Sequence, residues 1–210
     1  MNQKNGKNSL GLDSCFEDLD NPIELFKKWF FKAEEKEIND PNAVAVATSD
    51  KSNQPNVRMV LLKGLDDRGF VFYTNFNSKK GGELKDNHKA SMCFHWKSLR
   101  RQVRLIGKVE EVTSKEADDY YYSRPYKNRI SAWASSQSQP LDRRETFLNK
   151  IKEYEKKYPD ENNVPRPPHW SGWRLMPEEI EFWVDGEGRI HERLNYKNIN
   201  GKWNKEILYP

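Results

Sequence analysis

The sequence predicts a mainly β protein with helices (α+β), an antiparallel barrel, closed or nearly so, that carries its helices on the outside. Three observations predict it. About eight apolar runs are bounded by Asn, Asp, Gly and Pro, the mark of short strands ending in turns. Several of those turns are too short to join anything but antiparallel neighbours. Helical segments with one apolar face are inserted between the runs, where a sheet can shelter them.

Residues 1–20 are polar and contain glycine, so a flexible tail is expected, leaving 21–210 as a single domain. Asn21 and Pro22 suit an N-cap and a first helical position, and Ile23, Phe26, Phe30 and Ala33 recur at helical spacing behind them. "AVAVATSD" (43–50) reads as a buried strand and "KSNQPN" (51–56) as a turn. "VRMVLLKGL" (57–65) and "FVFYTN" (70–75) read as two further strands around a tight "DDRG" connection, completing a β-meander. "FNSKKGGELKDNH" (76–88) carries turn residues and a short helix; "ASMCFHW" (90–96) and "RQVRLIGKVEEV" (101–112) are two more strands.

Thr113 stands three residues before Glu116, a capping-box spacing that opens a helix over about 114–124. "ISAWASSQSQP" (130–140) reads as a small-polar loop. A charged helix is expected over 141–158, with Leu141, Leu148, Ile151 and Tyr158 inward, followed by the proline-rich connector 159–170. "SGWRLMP" (171–177), "EIEFWVDG" (179–186), "RIHERLNY" (189–196) and "KWNKEILYP" (202–210) are the last strands, the final pair joined at the hairpin signal Asn200-Gly201.

The chain has 210 residues, 32 % of them charged, yet a net charge of only +4 with acids interspersed among the bases. That balance suits anionic small molecules better than nucleic acid. The two cysteines lie far apart, so a reducing, cytoplasmic setting without disulfides is expected. The N-terminus has no apolar stretch of the signal-peptide kind, and no run approaches membrane-spanning length. The four histidines show no ligand spacing, so no metal site is expected. Glycine-rich dinucleotide and triphosphate loops are missing.

Four stretches stand out. "SKKGGEL" (78–84) is either a solvated basic turn or a phosphate cradle at a helix start. "RMVLLK" (58–63) has a cation at each end of an apolar strand, as strand ends reaching water do and as a barrel-rim ligand would use. Tyr120 and Arg124, four apart on a helix, suit a phosphate ester or simple stem packing. In "GEGRIHERLNY" (186–196), strand alternation lines up Arg189, His191 and Arg193 on one face with no acid among them. Either a carboxylate such as Glu179, Glu181 or Glu187 compensates them, or a bound anion does.

Taken together, "RMVLLKG", "FYTNFNSKKGGEL", "RRQVRLIGKVE", "YYSRP", "SAWASSQS", "EFW" and "GRIHER" resemble the pyridoxine/pyridoxamine 5′-phosphate oxidase family, in the family's order from about Asp40 to Pro210. The resemblance implies an FMN-binding split β-barrel and a homodimer with FMN at its interface. It implies oxidation of pyridoxine 5′-phosphate or pyridoxamine 5′-phosphate to pyridoxal 5′-phosphate, by hydride transfer from C4′ to flavin N5, with O2 reduced to H2O2. It places Arg58, Met59, Val60, Leu61, Leu62, Lys63, Tyr73, Thr74, Lys79, Lys80 and Gln102 against FMN, with Gln137, Ser138, Trp183 and Arg193 completing that site. Lys63, Tyr120, Arg124 and Asn128 would hold the substrate phosphate, and Arg189 and His191, the catalytic pair, would face the pyridine ring. The flavin supplies the redox chemistry, so no protein nucleophile is required.

The chain also departs from the family pattern. "NRISAW" (128–133) stands where Ser-Gln-Ile-Gly-Ala-Trp is usual, so Asn128 replaces a hydroxyl but can still donate through its amide, and Arg129 adds a charge that either tightens phosphate binding or simply points outward. Lys79 stands where arginine is common, and the N-terminal Arg-x-x-Tyr segment that closes over substrate has no counterpart. Two other readings remain: a split-barrel flavin reductase, and a non-catalytic binder of FMN or pyridoxal phosphate.

Overall fold

In the computed structural model, residues 7–210 are described. Helix α1 (Pro22–Lys36) starts as expected, with the Asn21 side chain accepting the Ile23 N–H at 2.9 Å and Pro22 in the first turn. Its buried stripe includes Ile23, Phe26 and Ala33, and also Leu25 and Trp29.

Nine strands follow in one antiparallel sheet: β1 (Ala43–Ser49), β2 (Pro55–Leu61), β3 (Gly64–Asp66), β4 (Gly69–Asn75), β5 (Lys89–Trp96), β6 (Arg101–Glu111), β7 (Trp170–Val184), β8 (Glu192–Ile199) and β9 (Lys202–Leu208). The order is β2-β1-β5-β6-β7-β4-β3, with β8 added to β7 and β9 to β8. The end strands β2 and β3 are separated in sequence only by Leu62 and Lys63, so the sheet must curl back on itself. The Lys63 N–H donates to the Val71 carbonyl at 2.8 Å where the two ends meet. This curled sheet is the split barrel. Alternation along β1 (Val44, Val46 and Thr48 inward) and β6 (Val103, Leu105, Gly107 and Val109 inward) fills its interior. Helix α1 closes one mouth, with Phe26 edge-on to Phe70 at 4.8 Å and Trp29 edge-on to Phe182 at 5.1 Å.

Four further helices are α2 (Lys79–Asp86), α3 (Ser114–Ser123), α4 (Tyr126–Ala134) and α5 (Arg144–Lys157). The capping box of α3 is present, the Thr113 hydroxyl accepting from Glu116 N–H while the Glu116 carboxylate accepts from Thr113 N–H.

Several expectations are corrected. The segment before α1 is not a loose tail from residue 7 onward: Leu12 and Phe16 are buried, and the Trp29 indole donates to the Cys15 carbonyl at 2.7 Å. Residues 1–6 lie outside the described residues. The meander is interrupted, because β4 pairs with β3 and β7 rather than with β2. The strands expected at 171–177 and 179–186 are one strand: Gly107 pairs with Pro177 and Ile106 with Glu179, so Glu178 is the extra residue of a bulge that carries β7 past the proline. The supposed loop at 130–140 begins inside α4, where Ile130 and Ala134 are buried one turn apart. Helix α5 buries none of its residues; it leans on α4 through the Trp133–Tyr154 and Trp133–Tyr158 ring contacts (5.7 and 5.6 Å), and Leu141 and Leu148 are exposed.

The strand expected from residue 189 starts at Glu192 instead. Gly188 and Arg189 both sit at φ 64°, left-handed backbone that breaks alternation, and 187–189 form a 3-10 turn. Arg189 therefore stands exposed on the turn, and the expected single face of three cations does not form. The hairpin at Asn200-Gly201 does form, both residues at positive φ (52° and 83°) as a tight turn of this hand requires.

Candidate active site

A cavity of about 430 Å³ opens where β2, β4, α2, α3 and α4 converge. The end of β2 and its exit provide Met59, Val60, Leu61 and Lys63, and β4 provides Tyr73, Thr74 and Asn75. Lys80 enters from α2, Tyr120 and Arg124 from the end of α3, Ser131 from α4, and Ser135 and Gln137 from the segment after it. Among the described residues, three cations and no carboxylate line this cavity.

Its aromatic wall is a stack, with the Tyr73 ring 4.1 Å from Tyr120 and 5.3 Å from Trp170, both nearly parallel. The Arg124 guanidinium lies over the Trp170 ring at 4.8 Å. Burial pushes the Tyr73 phenol up to about 12 and raises Tyr120 as well, so both are neutral hydrogen-bonding groups near pH 7. One terminal nitrogen of Arg124, NH1, is buried and has no partner.

At the other side of the cavity, Ser78 caps α2 by accepting the Gly81 N–H at 3.3 Å. Lys80 beside it is drawn down to about 8, first by burial and then by the charge of Arg58. Its ammonium reaches Gln137 Oε1 at 3.1 Å. Arg58 is itself fixed: NH2 donates to the buried Glu83 carboxylate at 3.1 Å and NH1 to the Val46 carbonyl at 3.2 Å. Arg58 and Lys80 thus lie close together near the N-terminus of α2, a placement that suits an anion.

A second cluster lies across β6, β7 and β8. Gln102, Trp183 and Arg193 are register partners and so share one face. The Glu181 carboxylate accepts from Arg193 Nε at 2.7 Å and from Arg104 NH1 at 3.0 Å, so the arginine row does have an acid, on the neighbouring strand. His191 packs on Trp183 with ring centroids 4.6 Å apart. Both the Gly186 N–H and Asp185 Oδ1 stand 3.2 Å from His191 Nδ1. The neutral ring accepts from Gly186 and keeps its proton on Nε2; the charged ring donates to Asp185. A Cβ on Gly186 would fall 1.8 Å from the Ile190 carbonyl oxygen, so only glycine permits this turn.

The two clusters occupy opposite ends of β7. Tyr73 pairs with Gly172, whereas Gln102 pairs with Trp183, eleven residues farther along. At ~3.3 Å per residue that is roughly 36 Å of strand.

A family model described as "Pyridoxamine 5'-phosphate oxidase" matches residues 30–183, and one described as "Pyridoxine 5'-phosphate oxidase C-terminal dimerisation region" matches 170–210. The chain belongs to the pyridoxamine 5′-phosphate oxidase family. It is 60 % identical over 207 residues to a pyridoxine/pyridoxamine 5′-phosphate oxidase of Pelagibacter ubique (strain HTCC1062), covering 98 % of this chain and 100 % of that one. It is 54 % identical over 199 residues to one of Agrobacterium fabrum (strain C58), covering 94 % and 96 %. Among solved structures it is similar to PhzG from Burkholderia lata 383 in complex with tetrahydrophenazine-1-carboxylic acid, with TM-score 0.88, 29 % identity, and 98 % and 100 % of the two chains covered.

Within this oxidase family member, the cavity gathers Met59, Val60, Leu61, Lys63, Tyr73, Thr74, Lys80, Tyr120, Arg124 and Gln137 of the residues singled out from sequence. It does not include Arg58, which stands behind it, or Leu62, which is buried in the core. Lys79 is exposed with its ammonium 3.3 Å from Asn56 Oδ1, and Ser138 is exposed at φ 69°. Asn128 is exposed on α4 and does not line the cavity; Ser131, one turn on, does. Sequence reasoning missed Ser131, Trp170, and the acids Glu83 and Asp185 that hold site cations, whereas Glu181 is one of the three carboxylates it offered as partners for the arginine row. Ile130 and Ala134 at helical spacing were the signal for α4, and hence for Ser131. Among the described residues no cluster of His, Cys, Asp and Glu could hold a metal ion, and no helix is long and apolar enough to cross a membrane.

Proposed function

We propose that the chain oxidises pyridoxine 5′-phosphate and pyridoxamine 5′-phosphate to pyridoxal 5′-phosphate, using FMN and O2 and releasing H2O2, as a homodimer with FMN between the two copies. The observation that carries this reading is the cavity with three cations, an aromatic stack and no carboxylate, which suits a planar phosphate ester. The unpartnered Arg124 nitrogen and the burial-depressed Lys80 fit two separate phosphates at its two sides.

In this reading Lys79, Lys80 and Arg58 bind the FMN phosphate, with Thr74 and Gln137 beside it. Lys63, Tyr120 and Arg124 hold the substrate phosphate, together with Asn128 or, from its cavity position, Ser131. The strand length separating the two clusters supports a second copy as the source of Gln102, Trp183 and Arg193. FMN, when bound there, would supply the hydride acceptor and the route by which electrons reach O2. Arg189 orients the pyridine ring from its exposed turn, and His191, held by Trp183 and Gly186, hydrogen-bonds the ring through Nε2. Arg193 donates to the flavin's anionic edge, and Glu181 fixes its guanidinium for that purpose. Tyr73 and Trp170 exclude water from one side of the site.

The test is direct. The purified protein should be yellow with FMN and, given either substrate in air, should form aldehyde and peroxide in equal amounts. A yellow protein that forms no peroxide with either substrate sinks the oxidase reading and favours a flavin reductase or a binder. A colourless protein unable to take up FMN sinks the reading altogether.

A further inference from the structure

A second guanidinium close enough to act on Arg124 has no acid to neutralise it among the described residues. Arg129, on the buried side of α4, is 8 % exposed. Its NH2 donates to the Glu161 carbonyl at 2.7 Å, and its Nε is buried without a partner. Among the described residues neither Arg124 nor Arg129 forms an ion pair. The Glu155 and Glu161 carboxylates act on Tyr126 nearby, but neither pairs with Arg129. The Arg124 guanidinium is pulled down first by burial, and the Arg129 charge adds to that against the opposing effect of Tyr120 and Tyr121. A buried guanidinium beside a partly buried one, with no carboxylate on either, is costly, and a doubly charged anion would compensate both at once.

We infer that Arg129 is a positioning residue of the substrate-phosphate site, whose buried charge acts through Arg124 to select a dianionic phosphate ester over the unphosphorylated alcohol, amine or aldehyde. This rests on the function proposed above and deepens it. The charge raises the potential at the Arg124 fork without touching substrate, so it strengthens phosphate binding and leaves the chemistry at the ring unchanged.

The experiment titrates the FMN-loaded protein with pyridoxal 5′-phosphate, pyridoxal and inorganic phosphate by calorimetry, for wild type, Arg129→Gln, Arg129→Lys and Arg124→Gln. Arg129→Gln should weaken pyridoxal 5′-phosphate binding on the order of tenfold, the scale of one unit charge lost from a poorly solvated site. Pyridoxal binding should be unchanged, KM for the phosphate esters should rise with kcat held, and Arg129→Lys should keep most of the affinity. Unchanged affinity in Arg129→Gln, or an equal loss in Arg129→Lys, would overturn the inference. Should Arg129→Gln not fold, the Arg129 Nε–H resonance of the wild type must shift on phosphate addition, and a static signal overturns the proposal. Wild type that binds phosphate through Arg124 and Arg129, but not pyridoxal 5′-phosphate, keeps the anion site while removing the proposed substrate. Binding of neither removes both.

Discussion

Replacing Arg174 with methionine should cost about 2–3 kcal/mol and loosen the substrate side of the cavity. Arg174 on β7 is 3 % exposed along its side chain, with NH1 2.7 Å from Asp66 and NH2 2.6 Å from Glu116. Taking one partner from a buried ion pair costs roughly 3–5 kcal/mol because the other charge is stranded. Here Asp66 and Glu116 are 43 % and 29 % exposed, so water rehydrates them and the cost falls toward the lower end. Arg68 also remains on both acids. In urea, with a slope of about 3 kcal/mol per M, the unfolding midpoint should drop by about 0.7–1 M at fixed protein and FMN concentration. Glu116 both caps α3 and accepts the Tyr73 hydroxyl at its carbonyl (3.2 Å), so KM for the phosphate esters should rise as well. Glu116 is held down to about 2, chiefly by the Thr113 N–H and then by its arginines. A carboxyl lowered on folding stabilises above its unfolded value, near 4.5, and that stability is lost as pH falls toward 2. Arg174→Met should shrink this acid loss, while Thr113 keeps part of it. A midpoint shift below about 0.2 M would refute the reasoning, since it would mean that the buried guanidinium holds nothing.

Three further outcomes are expected. Arg193→Leu should impair FMN retention on gel filtration, read from visible absorbance, whereas Arg189→Leu should retain FMN and lose substrate oxidation; identical defects would contradict the division between them. Gly186→Ala forces a Cβ onto the Ile190 carbonyl and should displace Arg189 and His191, cutting kcat by at least about tenfold with FMN still bound. Full activity would show that the turn has other solutions. Because burial and then the Arg58 charge draw Lys80 down to about 8, FMN affinity should weaken as pH rises through that value, and Lys80→Met should flatten the profile.

Most of the barrel was legible because strand alternation and turn residues are local signals: β1, β6 and the Asn200-Gly201 hairpin lie where they were expected. The failures came where tertiary context overrides the local one. Pro177 reads as a strand end, but a bulge opposite Gly107 carries β7 through it. Gly188 and Arg189 break a strand whose side-chain alternation looked continuous, because backbone sign is invisible in a polar sequence. The polar segment before α1 is anchored by only a few residues, among them Leu12 and Phe16, too few to register as a pattern. At the site, the motif residues from Met59 to Gln137 largely gather in one cavity. Glu83, the acid that holds Arg58, was not assigned, and Glu181 was one of three candidates for the arginine row, since both come from other elements and only pairing geometry brings them into reach.

The length of β7 has a genetic consequence. If each catalytic centre draws its basic cavity from one chain and its Trp183–Arg193 face from the other, every mixed dimer of two differently crippled chains contains one wholly intact centre and one doubly damaged centre. Chains carrying Arg124→Gln and chains carrying Arg193→Leu, each nearly inactive alone, should therefore complement when co-expressed. At random assortment half of the dimers are hybrids with one working centre each, so activity should recover to about a quarter of wild type.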